Sequence, residues 1–214
     1  MTAFTKPRRP LIRDAMQIGA HWCQGRRIDG GVAFGHGCRV ALCIDRFWPD
    51  APEQWHATAL VHDLPEFIVD QEGAPDRDRV RDEIVPKLGE DVLSYVWGLW
   101  DDHQIYETCD RNPGIAVSHV DELAATNLPL LCIMAADQLV SFTNVKRRLR
   151  RVRQQGGTEA KFWGERTNLL ERMTYFRLFH AAAIAHVPPA MSQRWARYLY
   201  QIPSAAEHDR SILK

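Results

Sequence analysis

The sequence has no excess of charge of either sign: 27 Lys and Arg stand against 27 Asp and Glu in 214 residues. Proteins that coat nucleic acid or lie on membrane surfaces carry a basic surplus, so the balance argues against both classes. No apolar run approaches the roughly 18 residues of a membrane span. The first residues, MTAFTKPRRPLIRD, lack a signal-peptide core. Cysteine is sparse, with Cys23, Cys38, Cys43, Cys109 and Cys132 odd in number and free of CxxC spacing. This usage predicts reduced thiols in a cytoplasmic protein, not a disulfide framework. Internal repeats, low-complexity tracts and the alternation of a strand are also missing. What is present is ordinary for a globular domain, with 45% hydrophobic and 25% charged residues. A chain of this length buries about 70–75% of its unfolded surface and needs no covalent staples.

The periodicity predicts an all-α helical bundle. Residues 10–24 place Leu11, Ile12, Met16, Ile18, Ala20 and Trp22 near one helical face. A Gly-rich loop follows, and residues 36–48 resume a helix that Pro49 stops. Asp50 and Pro52 suit the start of the next helix, which runs to His62-Asp63, where Pro65 ends it. Further helices are expected from 76 to 88, 89 to 103, 117 to 127, 129 to 153, 158 to 186 and 190 to 200, with a loop over 106–117. One domain over 10–202 is expected, with tails at 1–9 and 203–214 that look frayed.

The largest charge cluster is the basic run from Lys146 to Arg153. It reads either as a solvated helix face or as an attractor for an anionic substrate. It lacks interleaved aromatics, which argues against single-stranded nucleic acid.

The strongest chemical signal is His62-Asp63 at the end of an apolar helix. Neighbours on a helix diverge by about 100°, so the two can share a metal only where the helix stops. His36 opens the preceding helix after the Gly-rich loop. Asp137 sits in the apolar stretch LPLLCIMAADQLVSF, where a carboxylate is costly unless paired or bound to a metal. A salt bridge to a nearby arginine is the other reading of Asp137. Together His36, His62, Asp63 and Asp137 would make a two-histidine, two-carboxylate site suited to Mn²⁺, Fe²⁺ or Zn²⁺. Glu66, one turn beyond Asp63, is either an acid/base for a water at that site or a solvated first-turn carboxylate.

These segments resemble the HD-domain metal phosphohydrolases, and within them the hydrolase domain of the Rel/Spo alarmone enzymes in its small, stand-alone form. The resemblance runs through AHWCQGRRIDGGVAFGHGCRVAL, ALVHDLPEF, KLGEDVLSYVWGL, IMAADQLVSFTNV and FWGERTNLLERMTYFRLFHAAA, covering about residues 10–185. It implies a single HD-type helical bundle with metal ligands His36, His62, Asp63 and Asp137, and with Mn²⁺ as the ion. It implies a nucleotide contact from Arg27, with Arg26 beside it, and catalytic roles for Glu66 and Asp63. Phe67 stands where the family has a second acid. Ser141 stands for an asparagine, Asn144 matches a later polar position, and Ala33-Phe34 replace a Pro-Tyr-Ile run. From the late segments, Lys161, Tyr175 and Arg177 are candidate substrate contacts, with surface charge the bland reading of Lys161 and Arg177.

The activity implied is removal of the 3′-pyrophosphate from (p)ppGpp or a related (p)ppNpp such as (p)ppApp, in the manner of the stringent response. The partner is then a small nucleotide, with no nucleic acid and no membrane; a homo-oligomer is compatible. The alternatives are another HD-type nucleotide phosphohydrolase, such as a 5′-nucleotidase or a dNTP triphosphohydrolase, or a degenerate module that binds nucleotide without turnover.

Overall fold

The 3.6-residue periodicity is realised throughout, and the fold is all-α apart from one short ribbon. The computed structural model describes residues 10–28, 31–107 and 112–212. The expected N-terminal tail and Cys109 lie outside the described residues, as do the last two positions of the C-terminal tail. The chain divides into two compact units, Met1–Trp100 and Asp101–Lys214.

In the first unit, α1 (Pro10–Trp22) is followed by a two-stranded antiparallel ribbon, β1 (Arg27–Ile28) and β2 (Gly31–Val32). Arg27 pairs with Val32 and Ile28 with Gly31. Then come α2 (Ala33–Phe47), α3 (Glu53–Val61), α4 (Leu64–Phe67), α5 (Arg77–Leu88) and the start of α6 (Glu90–Glu107). Helix α3 is the central element. Its residues from His56 to Val61 are all buried, and it packs against α1 on one side and α2 on the other. The core joins Ala15 and Ile18 of α1 to Leu60 and Val61, Leu64, Ile68, Val80, Ile84, Val92 and Val96. Asp76 caps α5, its carboxylate accepting from Arg79 N at 3.0 Å.

In the second unit α8 (Leu128–Gln154) is central, with α7 (Ile115–Thr126), α9 (Glu159–Gly164), α11 (Met173–Ala183) and α12 (Pro189–Leu199) packed on it. Asn127 caps α8 by accepting from Leu130 N at 3.2 Å. By length and composition α8 could cross a membrane, but 67% of its apolar window is buried inside the protein, as in a core helix.

Several elements differ from expectation. The long helix over 158–186 is three pieces: α9, α10 (Thr167–Glu171) and α11. The first break coincides with a side-chain hydrogen bond. Arg166 Nη1 donates to Phe162 O at 2.7 Å, the carbonyl that a continuing helix would give to Arg166 N, and that N–H turns to Trp163 O at 2.8 Å instead. The guanidinium also stacks on the Phe162 ring. Pro65 does more than stop a helix: α3 ends at Val61, and Pro65 lies in the first turn of α4. Helix α2 begins three residues early, at Ala33, so His36 sits in its first turn. Pro52, not Asp50, is the N-cap of α3. Residues expected as a tail form α13 (Ala205–Ile212).

Candidate metal centre

The end of α3 is approached closely from both sides, and glycine makes this approach sterically tolerable. A Cβ on Gly37 of α2 would lie 2.7 Å from Ala59 O, and one on Gly19 of α1 would lie 2.6 Å from Leu60 O. Both distances are shorter than real Cβ contacts, so any other residue would force the helices apart. With α2 this close, His36 meets His62 with ring centroids 5.3 Å apart and planes tilted by 55°.

His62 and Asp63 occupy the turn between α3 and α4. His62 Nδ1 lies 2.9 Å from Ala59 O. A carbonyl only accepts, so Nδ1 carries the proton and the ring orientation is fixed. The other nitrogen, Nε2, faces Asp63 Oδ1 at 3.0 Å. Both side chains are buried, and two acceptors at that distance need a cation between or beside them. A second ring proton would serve, and so would a metal. Two ligand atoms about 2.1 Å from one ion and at right angles stand about 3.0 Å apart, so the spacing suits a shared ion.

His36 and His62, both buried, each offer an imidazole nitrogen in the first unit, and Asp137, half-buried, lies in the second. Imidazole nitrogen with carboxylate oxygen is a donor set that suits a divalent transition metal.

Around this group, Glu66 is exposed on α4, its backbone N–H donating to Asp63 O at 3.0 Å. Arg26 and Arg27 are exposed before and within β1. The Arg26 guanidinium lies over the Phe67 ring, 5.7 Å from its centroid. Cys23, buried beside them, has its thiol pushed up to about 12, by burial first and then by the negative charge of Asp63, the neighbouring Cys38 and Glu66, with Arg26 acting in the opposite sense. With no metal beside it, the thiol therefore stays protonated at neutral pH.

In the second unit, Asp137, Ser141 and Asn144 share one stripe of α8. Between Leu130 and Val145 these three are half-buried and every other residue is buried. Their spacing places them on one helical face. Lys161 is exposed on α9. Tyr175 is fully buried and its hydroxyl donates to Asp102 Oδ1 at 3.0 Å, so it reaches a ligand only by breaking that bond. Arg177 is held by Glu207, with Nη2 to Oε2 at 3.0 Å, and donates to Ile202 O at 2.7 Å. It lines a cavity of about 610 Å³ with Trp163, Tyr200 and His208. The basic run ends α8, where cations complement the helix dipole, and Arg153 pairs with Glu159.

Sequence reasoning missed Gly37 and Gln138, and it noted Phe67 only as the replacement for an acid. A glycine directly after a candidate ligand, inside a helix, is a readable sign of close approach. Gln138 is buried with neither amide atom hydrogen-bonded among the described residues, and nothing in the local pattern announces it. The four described cysteines, Cys23, Cys38, Cys43 and Cys132, form no disulfide. No family model matches the chain, and no curated protein or solved structure matches it.

Proposed function

We propose that the chain is a divalent-metal phosphohydrolase acting on a small nucleotide, and that the group removed is the 3′-pyrophosphate of (p)ppGpp or a related (p)ppNpp. The observation that carries the metal is the His62–Asp63 pair, two buried acceptor groups 3.0 Å apart with the other imidazole nitrogen, Nδ1, already committed to Ala59 O. The substrate class rests on the resemblance to the HD-type alarmone hydrolases.

His36, His62, Asp63 and Asp137 would hold the ion, with Mn²⁺ the choice that the resemblance favours and Zn²⁺ or Fe²⁺ compatible with the same donors. Such an ion, when bound, acidifies a water and polarises a phosphoryl oxygen. Glu66 takes the proton of the attacking water and returns it to the departing 3′ oxygen. Water oxygen bonds to phosphorus as the bond from phosphorus to the ribose 3′ oxygen breaks, giving a 5′-nucleotide and pyrophosphate. Arg26 and Arg27 bind phosphate oxygens through the planar guanidinium fork. Ser141 and Asn144 supply hydrogen bonds to base or sugar, and Lys161 adds charge, whereas Arg177 is already paired with Glu207.

Phe67 in place of a second acid favours one rival reading, an HD-type 5′-nucleotidase or dNTP triphosphohydrolase. A panel of ppGpp, pppGpp, ppApp, dNTPs and NMPs, with product analysis on the Mn²⁺-loaded protein, separates the readings. Pyrophosphate with a free 3′-hydroxyl supports the proposal. Inorganic phosphate from NMPs or triphosphate from dNTPs replaces it. Nucleotide binding without turnover identifies a sensor.

A further inference from the structure

We propose that Phe67 is a positioning residue whose ring carries the Arg26 guanidinium and presents it to an anionic phosphoryl group of the substrate. The inference rests on the phosphohydrolase reading and assigns a specific task to a residue that reading leaves idle.

Three observations carry it. The backbone of Arg26 is pinned at both ends: its N–H donates to Cys23 O at 3.0 Å, and its carbonyl accepts from Ala33 N at 3.1 Å, at the start of the helix bearing His36. Its guanidinium sits 5.7 Å from the centre of the Phe67 ring, within cation–π range, and Phe67 directly follows Glu66. Cys23 is influenced by Asp63, Glu66 and Arg26 together, so the arginine lies in the neighbourhood of both carboxylates.

The chemistry of the ring explains why phenylalanine suits this position. An aromatic face attracts the guanidinium while leaving its edge N–H donors free. A carboxylate at position 67 would also attract Arg26, but it would occupy those donors in an ion pair. Phe67 thus holds the arginine without competing with phosphate for its hydrogen bonds.

The test measures binding of inorganic pyrophosphate by calorimetry, with and without Mn²⁺, and KM and kcat on the best nucleotide of the panel. Phe67→Ala is expected to weaken pyrophosphate binding about five-fold and to raise KM by a similar factor with kcat little changed. Phe67→Tyr restores both. Phe67→Glu weakens binding as much as Arg26→Ala does, and Phe67→Ala has no further effect in an Arg26→Ala background. Unchanged binding in Phe67→Ala overturns the proposal, as does a loss that persists without Arg26, a fall in kcat alone, or a wild type that binds no pyrophosphate. If the binding pattern holds while no nucleotide is hydrolysed, the phosphohydrolase reading fails and the role of Phe67 stands. If hydrolysis occurs and Phe67→Ala changes neither affinity nor KM, the reverse is true.

Discussion

The imidazoles of His36 and His62 lie 5.3 Å apart, and a Cβ on the glycine that follows His36 would lie 2.7 Å from Ala59 O, the carbonyl that orients His62. One backbone oxygen thus bears both on the ring of the second histidine and on the approach of the helix that carries the first. The candidate metal centre depends on the way α2 meets the end of α3.

Gly37→Ala should therefore damage more than local packing. The added methyl would sit 2.7 Å from Ala59 O, an overpacking expected to cost about 1–3 kcal/mol. Denaturant unfolding reads that loss, and metal affinity should fall in the same variant. Gly19→Ala on α1, its methyl 2.6 Å from Leu60 O, should destabilise similarly with a smaller effect on metal. Equal effects of the two on metal affinity would contradict the link between Gly37 and His36.

Asp63→Ala should fold and lose metal. Outer-sphere partners of metal ligands are typically worth about 10–100-fold in affinity, so removing a ligand should cost at least that much. Equilibrium dialysis with Mn²⁺ and circular dichroism check the two halves of the statement.

Glu66→Gln should keep its metal and lose turnover by about 10²–10⁴-fold, the range for a general base. Metal content and kcat measured on one preparation decide it. A variant that loses metal would make Glu66 a ligand instead.

Within the second unit, Glu207 supplies a pH-dependent contact. Its carboxyl is pulled down from 4.5 to about 2, chiefly by the hydrogen bond from Arg177 and then by the Ser204 backbone N–H. A depressed carboxylate contributes stability that is present above the unfolded value and lost as pH falls towards the folded one. The contribution of the Arg177–Glu207 pair should thus disappear between about pH 4.5 and 2. A carboxyl NMR titration should place Glu207 low in the wild type and move it towards 4.5 in Arg177→Gln. A carboxyl that titrates at 4.5 in the wild type would refute the pairing.

The parts of this arrangement legible in sequence were those set by local spacing. His62-Asp63 before a proline located the turn, and the resemblance picked out Asp137, Ser141 and Asn144, the three half-buried positions of α8 between Leu130 and Val145. Contacts between segments were not legible. The helix expected through Arg166 breaks where the arginine side chain meets the Phe162 carbonyl, a contact that periodicity does not register. The ribbon at Arg27–Ile28 and Gly31–Val32 has two residues per strand, too few for alternation to show. The close approaches at Gly19 and Gly37 and the stacking of Arg26 on Phe67 depend on elements that only folding brings together.

The central claim is that two histidines bind one metal ion, and electron spin-echo spectroscopy of the Mn²⁺-loaded protein tests it most directly. The account predicts one Mn²⁺ per chain coupled to two imidazole nitrogens, one coupling lost in His36→Ala and the other in His62→Ala. Stoichiometric Mn²⁺ without nitrogen coupling, or with couplings indifferent to both substitutions, would contradict it.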